Sequence, residues 1–185
     1  MTRRRQPAAP EPRAERELIL VFADLTRFAF ESARMEDAAL AAVVDELYER
    51  LHRAVTDAGG RVVKFIGDAM LAVFEPEEAD AAVEGLLRER LSVDRWLEGR
   101  GMECRLYVKV HAGKVIAGDF GGRGEKRFDV IGKEVNACAR LPAAGFSLSV
   151  AAFRKLSARG RRAFKKQAPP PVVYFSVEGH RARRG

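Results

Sequence analysis

The sequence predicts an α+β domain with a mainly antiparallel sheet flanked by helices. Strand-length apolar runs and helix-length apolar periodicities interleave along the chain. Two of the strand-like runs meet at a Gly-Asp tip, which makes them a tight hairpin. The 185 residues, 47% apolar and 32% charged, supply one core: too little chain for a two-domain enzyme and too much apolar material for a disordered one.

The elements follow in order. Residues 1–16, with Pro7, Pro10 and Pro12 among Ala, Glu and Arg, read as a flexible basic leader. Residues 18–23 (LILVFA) have the length and composition of a buried strand, which ends on Asp24. Over 36–58, Leu40, Val43, Val44, Leu47, Leu51 and Val55 recur at helical spacing, and Gly59-Gly60 stops the helix. The hairpin strands are 61–66 and 70–74, with Gly67-Asp68 between them. A second amphipathic helix covers 75–99, with Trp96 packing it onto the sheet. Strands are expected at 104–111 and 114–120, then a Gly-rich turn, a short piece ending FDVIG, a helix over 134–141, a strand near 146–150, a basic helix, and a last strand at 172–177. These make one domain over 17–179, followed by a basic tail at 180–185.

The net charge of +7 invites a polyanionic partner, and its distribution narrows the choice. The leader and the tail each carry a surplus of three, leaving the body at +1. Within the body, 154–166 holds seven basic residues and no acid. Charge gathered in two tails and one segment is not the pattern of a uniformly basic nucleic-acid binder. Cys104 and Cys138 cannot form a disulfide framework and lack Cys or His neighbours at metal-ligand spacing. With no secretory h-region and no apolar run long enough to span a membrane, the expectation is a soluble, cytoplasmic protein.

Chemistry concentrates in a few polar residues set among apolar ones. Asp24 and Asp68 end apolar strands that qualify as sheet neighbours, an arrangement that holds hard, oxygen-preferring cations such as Mg²⁺ at one rim. Each also has a bland role, as helix cap or turn residue. Asn136 and Arg140 are four apart on one helix face; an amide and a planar guanidinium suit a ribose oxygen and a phosphate, and equally suit a solvated face. Lys64 interrupts VVKFI and Asp129 interrupts FDVI; such a pair either faces water or reads the edge of a base. His111 reads as a satisfied structural histidine and Cys138 as a packing residue.

Four segments in order, FADLTRF, GGRVVKFIGDAMLAVF, VHAGKVIAGDFG and RFDVIGKEVNACARL, resemble the catalytic domain of class III adenylyl and guanylyl cyclases, from about Leu18 to Tyr174. The resemblance implies a ferredoxin-like, palm-like sheet and a homodimer with catalytic sites at its interface. It implies conversion of a nucleoside triphosphate to the 3′,5′-cyclic nucleotide and pyrophosphate with two divalent cations, Mg²⁺ or Mn²⁺. By position, Asp24 and Asp68 match the metal-binding aspartates, with the Leu25 carbonyl on one metal. Lys64 and Asp129 match the base-selecting pair in its adenine-type form; guanylyl members typically have Glu and Cys there. Asn136 and Arg140 match the residues that orient the ribose and stabilise the transition state, and Lys165, or Lys166 if the alignment slips, matches a triphosphate-contacting lysine. The metal aspartates serve a site whose base pair, Asn and Arg come from the other protomer.

The resemblance thus implies an adenylyl cyclase acting on ATP. Two departures stand out. Arg27, Phe28 and Ala29 replace a usual Gly and then Phe-Thr, so Arg27 either adds a cation near the terminal phosphates or crowds them. The stretch LPAAGFSLSV is also short. Competing readings are a guanylyl or pyrimidine cyclase, a nucleic-acid-binding domain using 154–166, and a catalytically silent dimerisation module.

Overall fold

A computed structural model describes residues 11–122, 124–142, 144–167 and 172–177. The strands are β1 (Ala14–Leu25), β2 (Arg61–Ile66), β3 (Ala69–Phe74), β4 (Leu106–Phe120), β5 (Arg127–Ile131), β6 (Phe146–Ser149), β7 (Phe164–Gln167) and β8 (Val173–Ser176). The helices are α1 (Phe28–Ser32), α2 (Asp37–Asp57), α3 (Ala79–Glu98), α4 (Lys133–Ala139), α5 (Val150–Lys155) and α6 (Ala158–Arg161). The sheet runs β2-β3-β1-β4-β6-β8-β7, with β5 paired to the far half of β4. Every pairing is antiparallel except that of β4 with β6. The expected α+β class with a mainly antiparallel sheet is the class observed.

Strand alternation builds two cores. Ile19, Val21, Ala23 and Leu25 of β1 pack with the apolar stripes of α2 (Val43, Leu47, Leu51, Val55) and α3 (Val83, Leu86, Val93, Leu97). Leu18 and Leu20 point the other way and pack with Leu71, Val115, Val130 and Cys138 of α4. Burying such side chains is worth about 1.5–3 kcal/mol each, so this two-sided strand anchors both layers. Asp24 falls on the α4 side by the same alternation.

Three expectations are corrected. The flexible leader was expected through residue 16, but β1 begins at Ala14, and Glu11 and Arg13 hydrogen-bond to Asp119. The polar run Ala-Glu-Arg-Glu becomes strand because the long β4 offers it a partner, Ala14 opposite Ala117, and not because of its own apolar content. Residues 1–10 and the tail at 180–185 lie outside the described residues.

In place of strands at 104–111 and 114–120, β4 continues unbroken, with Gly113 paired to Leu18. Gly113 marks a close approach: a Cβ there would sit 2.7 Å from Cγ of Glu134. In place of a basic helix over 154–166 there are α5, α6 and β7. Ser149 and Ser157 cap the two short helices through Ala152 N–H and Gly160 N–H. Lys155 pairs with Glu17 at 2.8 Å, and the Arg161 guanidinium donates to the carbonyls of Phe153 and Arg154. No single helical face presents the seven basic residues.

Candidate active site

The β2–β3 hairpin turns at Gly67 (φ 59) and Asp68, a left-handed conformation that glycine adopts at no steric cost. Tyr48 of α2 donates its hydroxyl to the Gly67 carbonyl and stacks on Phe65, with ring centroids 3.9 Å apart. The tip so held brings Asp68 to the end of β1, where its Oδ2 accepts the Leu25 N–H at 3.2 Å. Asp24, one residue earlier, stands opposite Tyr107 of β4. The two aspartates and Leu25 therefore meet at one rim of the sheet. Oδ1 of Asp24 is sealed from solvent without a hydrogen-bond partner, while Oδ2 lies 3.6 Å from Nζ of Lys109.

Lys64 and Asp129 also meet: the ammonium donates to both carboxylate oxygens, at 2.9 and 2.6 Å. The register of β2 shifts between Val62 and Lys64, a bulge of the kind that re-aims a side chain. The Val130 N–H fixes Oδ1 of Asp129 at 2.8 Å. Asn136 and Arg140 lie four apart on α4, both exposed, with Arg140 closing the helix through its N–H to the Asn136 carbonyl. The cavity of about 360 Å³ between α2 and α3, lined by Arg50, Asp57, Glu84 and Arg88, includes none of these residues. Lys64, Asn136 and Arg140 are exposed, and Asp24, Asp68 and Asp129 are half-buried.

Lys165 is exposed on β7 and paired with Phe175, while Lys166 pairs with Tyr174. The register carries Lys165 across Phe175 and Ser147 to Lys109, on the sheet face of Asp24. Lys166 points to the opposite face with buried Phe164. Arg27 adopts φ 59 before α1, pairs with Glu103 at 2.6 Å and stacks on Phe30. Its charge is thus engaged within the chain.

His111 is satisfied on both nitrogens, Nδ1 with Ser149 Oγ at 2.8 Å and Nε2 with Glu134 Oε2 at 2.7 Å. It ties β4 to the starts of α4 and α5. The Cys138 thiol donates to the carbonyls of Leu20 and Lys109, and burial pushes its pKa up to about 12. Burial likewise raises Cys104 to about 11, so neither cysteine is a nucleophile near neutral pH. The residue that sequence reasoning missed is Lys109. Its signal was a charge in the middle of the apolar run YVKVHA.

Residues 11–168 match the family model described as the adenylate and guanylate cyclase catalytic domain. The chain belongs to this cyclase family. An adenylate cyclase of Anabaena cylindrica is 25% identical over 134 residues, covering 68% of this chain and 27% of that protein. An uncharacterised protein of Mycobacterium tuberculosis is 33% identical over 138 residues, covering 69% of this chain and 23% of its own length. The cyclase domain therefore spans about a quarter of these curated relatives. A bacterial light-regulated adenylyl cyclase superposes with a TM-score of 0.80 at 22% identity, over 91% of this chain and 53% of that one. That likeness places the sheet and its flanking helices in the class III cyclase fold. Among the described residues of the cyclase domain, no helix is long and apolar enough to cross a membrane.

Proposed function

We propose that this domain is an adenylyl cyclase that works as a homodimer, converting ATP to 3′,5′-cyclic AMP and pyrophosphate. The observation that carries the adenine reading is the Lys64–Asp129 pair, two-pronged and fixed from both sides. A donor beside an acceptor matches the adenine edge, which offers a ring-nitrogen acceptor and an amino donor.

The donor set at the rim suits a divalent cation. Asp24 has an unpartnered, sealed carboxylate oxygen, Asp68 adds a second carboxylate, and all the ligands are hard oxygens. Asp24, Asp68 and the Leu25 carbonyl would hold Mg²⁺ or Mn²⁺. Bound there, such ions supply charge neutralisation and a lowered pKa for the ribose 3′-hydroxyl. The reaction forms the bond from O3′ to the α-phosphorus and breaks the bond from that phosphorus to the oxygen bridging to the β-phosphate, with the hydroxyl proton passing to solvent.

Asn136 orients the ribose by hydrogen bonding, and Arg140 meets the charge that grows on the transferring phosphorus group. Lys165, on the Asp24 face, contacts the triphosphate. Arg27 serves only if it releases Glu103. A second copy completes the site, which explains why Lys64, Asn136 and Arg140 are open to solvent. Ile116 and Ile131, paired across the β4–β5 ribbon and 41% and 52% exposed, are apolar surface for that copy to cover.

The base assignment has its own test. In a competition of ATP, GTP, CTP and UTP, the parent protein is expected to make cyclic AMP in excess. Lys64→Glu combined with Asp129→Cys is expected to shift the ATP:GTP preference toward GTP by about tenfold or more. An unchanged preference in the double variant would remove the pair from base selection.

A further inference from the structure

The geometry points to Lys109 as the resident counter-ion of the metal site, a built-in cation that a divalent ion must displace. The inference rests on reading Asp24 and Asp68 as metal ligands and adds a residue to neither the metal nor the substrate shell.

Lys109 lies on the central strand β4, between Phe22 of β1 and Ser147 of β6. Its side chain is 12% exposed, unusual for lysine in mid-sheet. A buried ammonium needs partners, and two groups supply them. Nζ donates to the Ala139 carbonyl at 3.1 Å, in the last turn of α4, and lies 3.6 Å from Oδ2 of Asp24. Among the described residues, Asp24 is the one carboxylate within ion-pair distance of it.

The ammonium thus sits where it lowers the negative potential felt by a metal at Asp24. Repulsion between a fixed positive charge and an arriving dication falls only slowly with distance where solvent is partly excluded. Removing the charge strengthens metal binding before nucleotide arrives. With Lys109 present, the metal is held well only when a polyanionic triphosphate adds its own charge, so ion and nucleotide bind together. The second bond, to Ala139, keeps the displaced ammonium anchored beside Arg140.

The test is Mn²⁺ binding to the full chain without nucleotide, read from the electron paramagnetic resonance signal of free Mn²⁺. Lys109→Met, which keeps the stem, and Lys109→Gln, which keeps a donor for Ala139, are each expected to bind Mn²⁺ about tenfold more tightly than the parent. Lys109→Arg, which keeps the charge, is expected to match the parent. Adding Asp24→Asn to Lys109→Met is expected to abolish the gain. If the neutral variants bind no more tightly than the parent, or Arg behaves as Met does, the role of Lys109 is overturned while ATP turnover by the parent leaves the cyclase reading standing. If no protein binds Mn²⁺ saturably and the parent turns over no ATP, both readings fall. The Gln variant decides the matter should the Met variant not fold.

Discussion

Arg140→Ala is expected to lower kcat for cyclic AMP formation by about 10²–10³-fold, the loss typical of removing one donor aimed at developing transition-state charge. Arg140 is exposed at the end of α4, and its backbone N–H, which closes the helix, survives the substitution. The change should therefore leave the fold intact and KM for ATP nearly unchanged. A loss in kcat with an unaltered thermal midpoint separates a catalytic arginine from a structural one. A loss confined to KM would place the guanidinium on the ground-state nucleotide instead.

Asp24→Asn is expected to cost more, about 10³-fold or greater in kcat/KM, because under the proposed two-metal reading several kcal/mol of transition-state charge stabilisation depend on this carboxylate. Asn keeps the size and one oxygen but removes the charge that both the metal and Lys109 answer. Raising Mn²⁺ to millimolar levels is expected to restore little of the activity. The side chain is 42% exposed, but Lys109 is only 12% exposed and loses its carboxylate partner, so the thermal midpoint is measured alongside to separate lost stability from lost metal. Equal turnover by Asp24→Asn and the parent would exclude this rim as the metal site.

The parts of the fold that were legible in the sequence are those encoded locally. The β2–β3 hairpin announces itself through Gly67-Asp68, and the amphipathic helices α2 and α3 through their apolar stripes. What stayed hidden depends on partners distant in sequence. The polar start of β1 is strand only because β4 runs long enough to pair with it. Gly113 looks like a turn residue and instead makes room for Glu134. The basic segment breaks because Ser157 caps a new helix, with Asp80 accepting its N–H. That break also spreads the basic residues of 154–166 over two short helices and a strand.

The site divides in the same way. Asp24, Asp68, Lys64, Asp129, Asn136 and Arg140 stand out in sequence as polar residues in apolar or helical settings, and the fold brings Asp68 to Leu25, the residue after Asp24, and pairs Lys64 with Asp129. The bulge that aims Lys64, the grip of Tyr48 on the hairpin tip and the reach of Lys109 to Asp24 are properties of register and packing. Nothing local announces them. Strand alternation puts Lys165, and not Lys166, on the Asp24 face, which favours Lys165 for the proposed triphosphate contact.

The most direct test of a cyclase site shared between two copies is to mix the Asp24→Asn and Arg140→Ala proteins and assay cyclic AMP from ATP and Mn²⁺. Each variant alone is nearly inactive. Random exchange of protomers makes half of the dimers mixed, and each mixed dimer carries one site with both substitutions and one with neither. The mixture is therefore expected to regain about a quarter of the parent activity. A mixture as inactive as its components, under conditions where the parent makes cyclic AMP and the protomers exchange, would contradict the shared site.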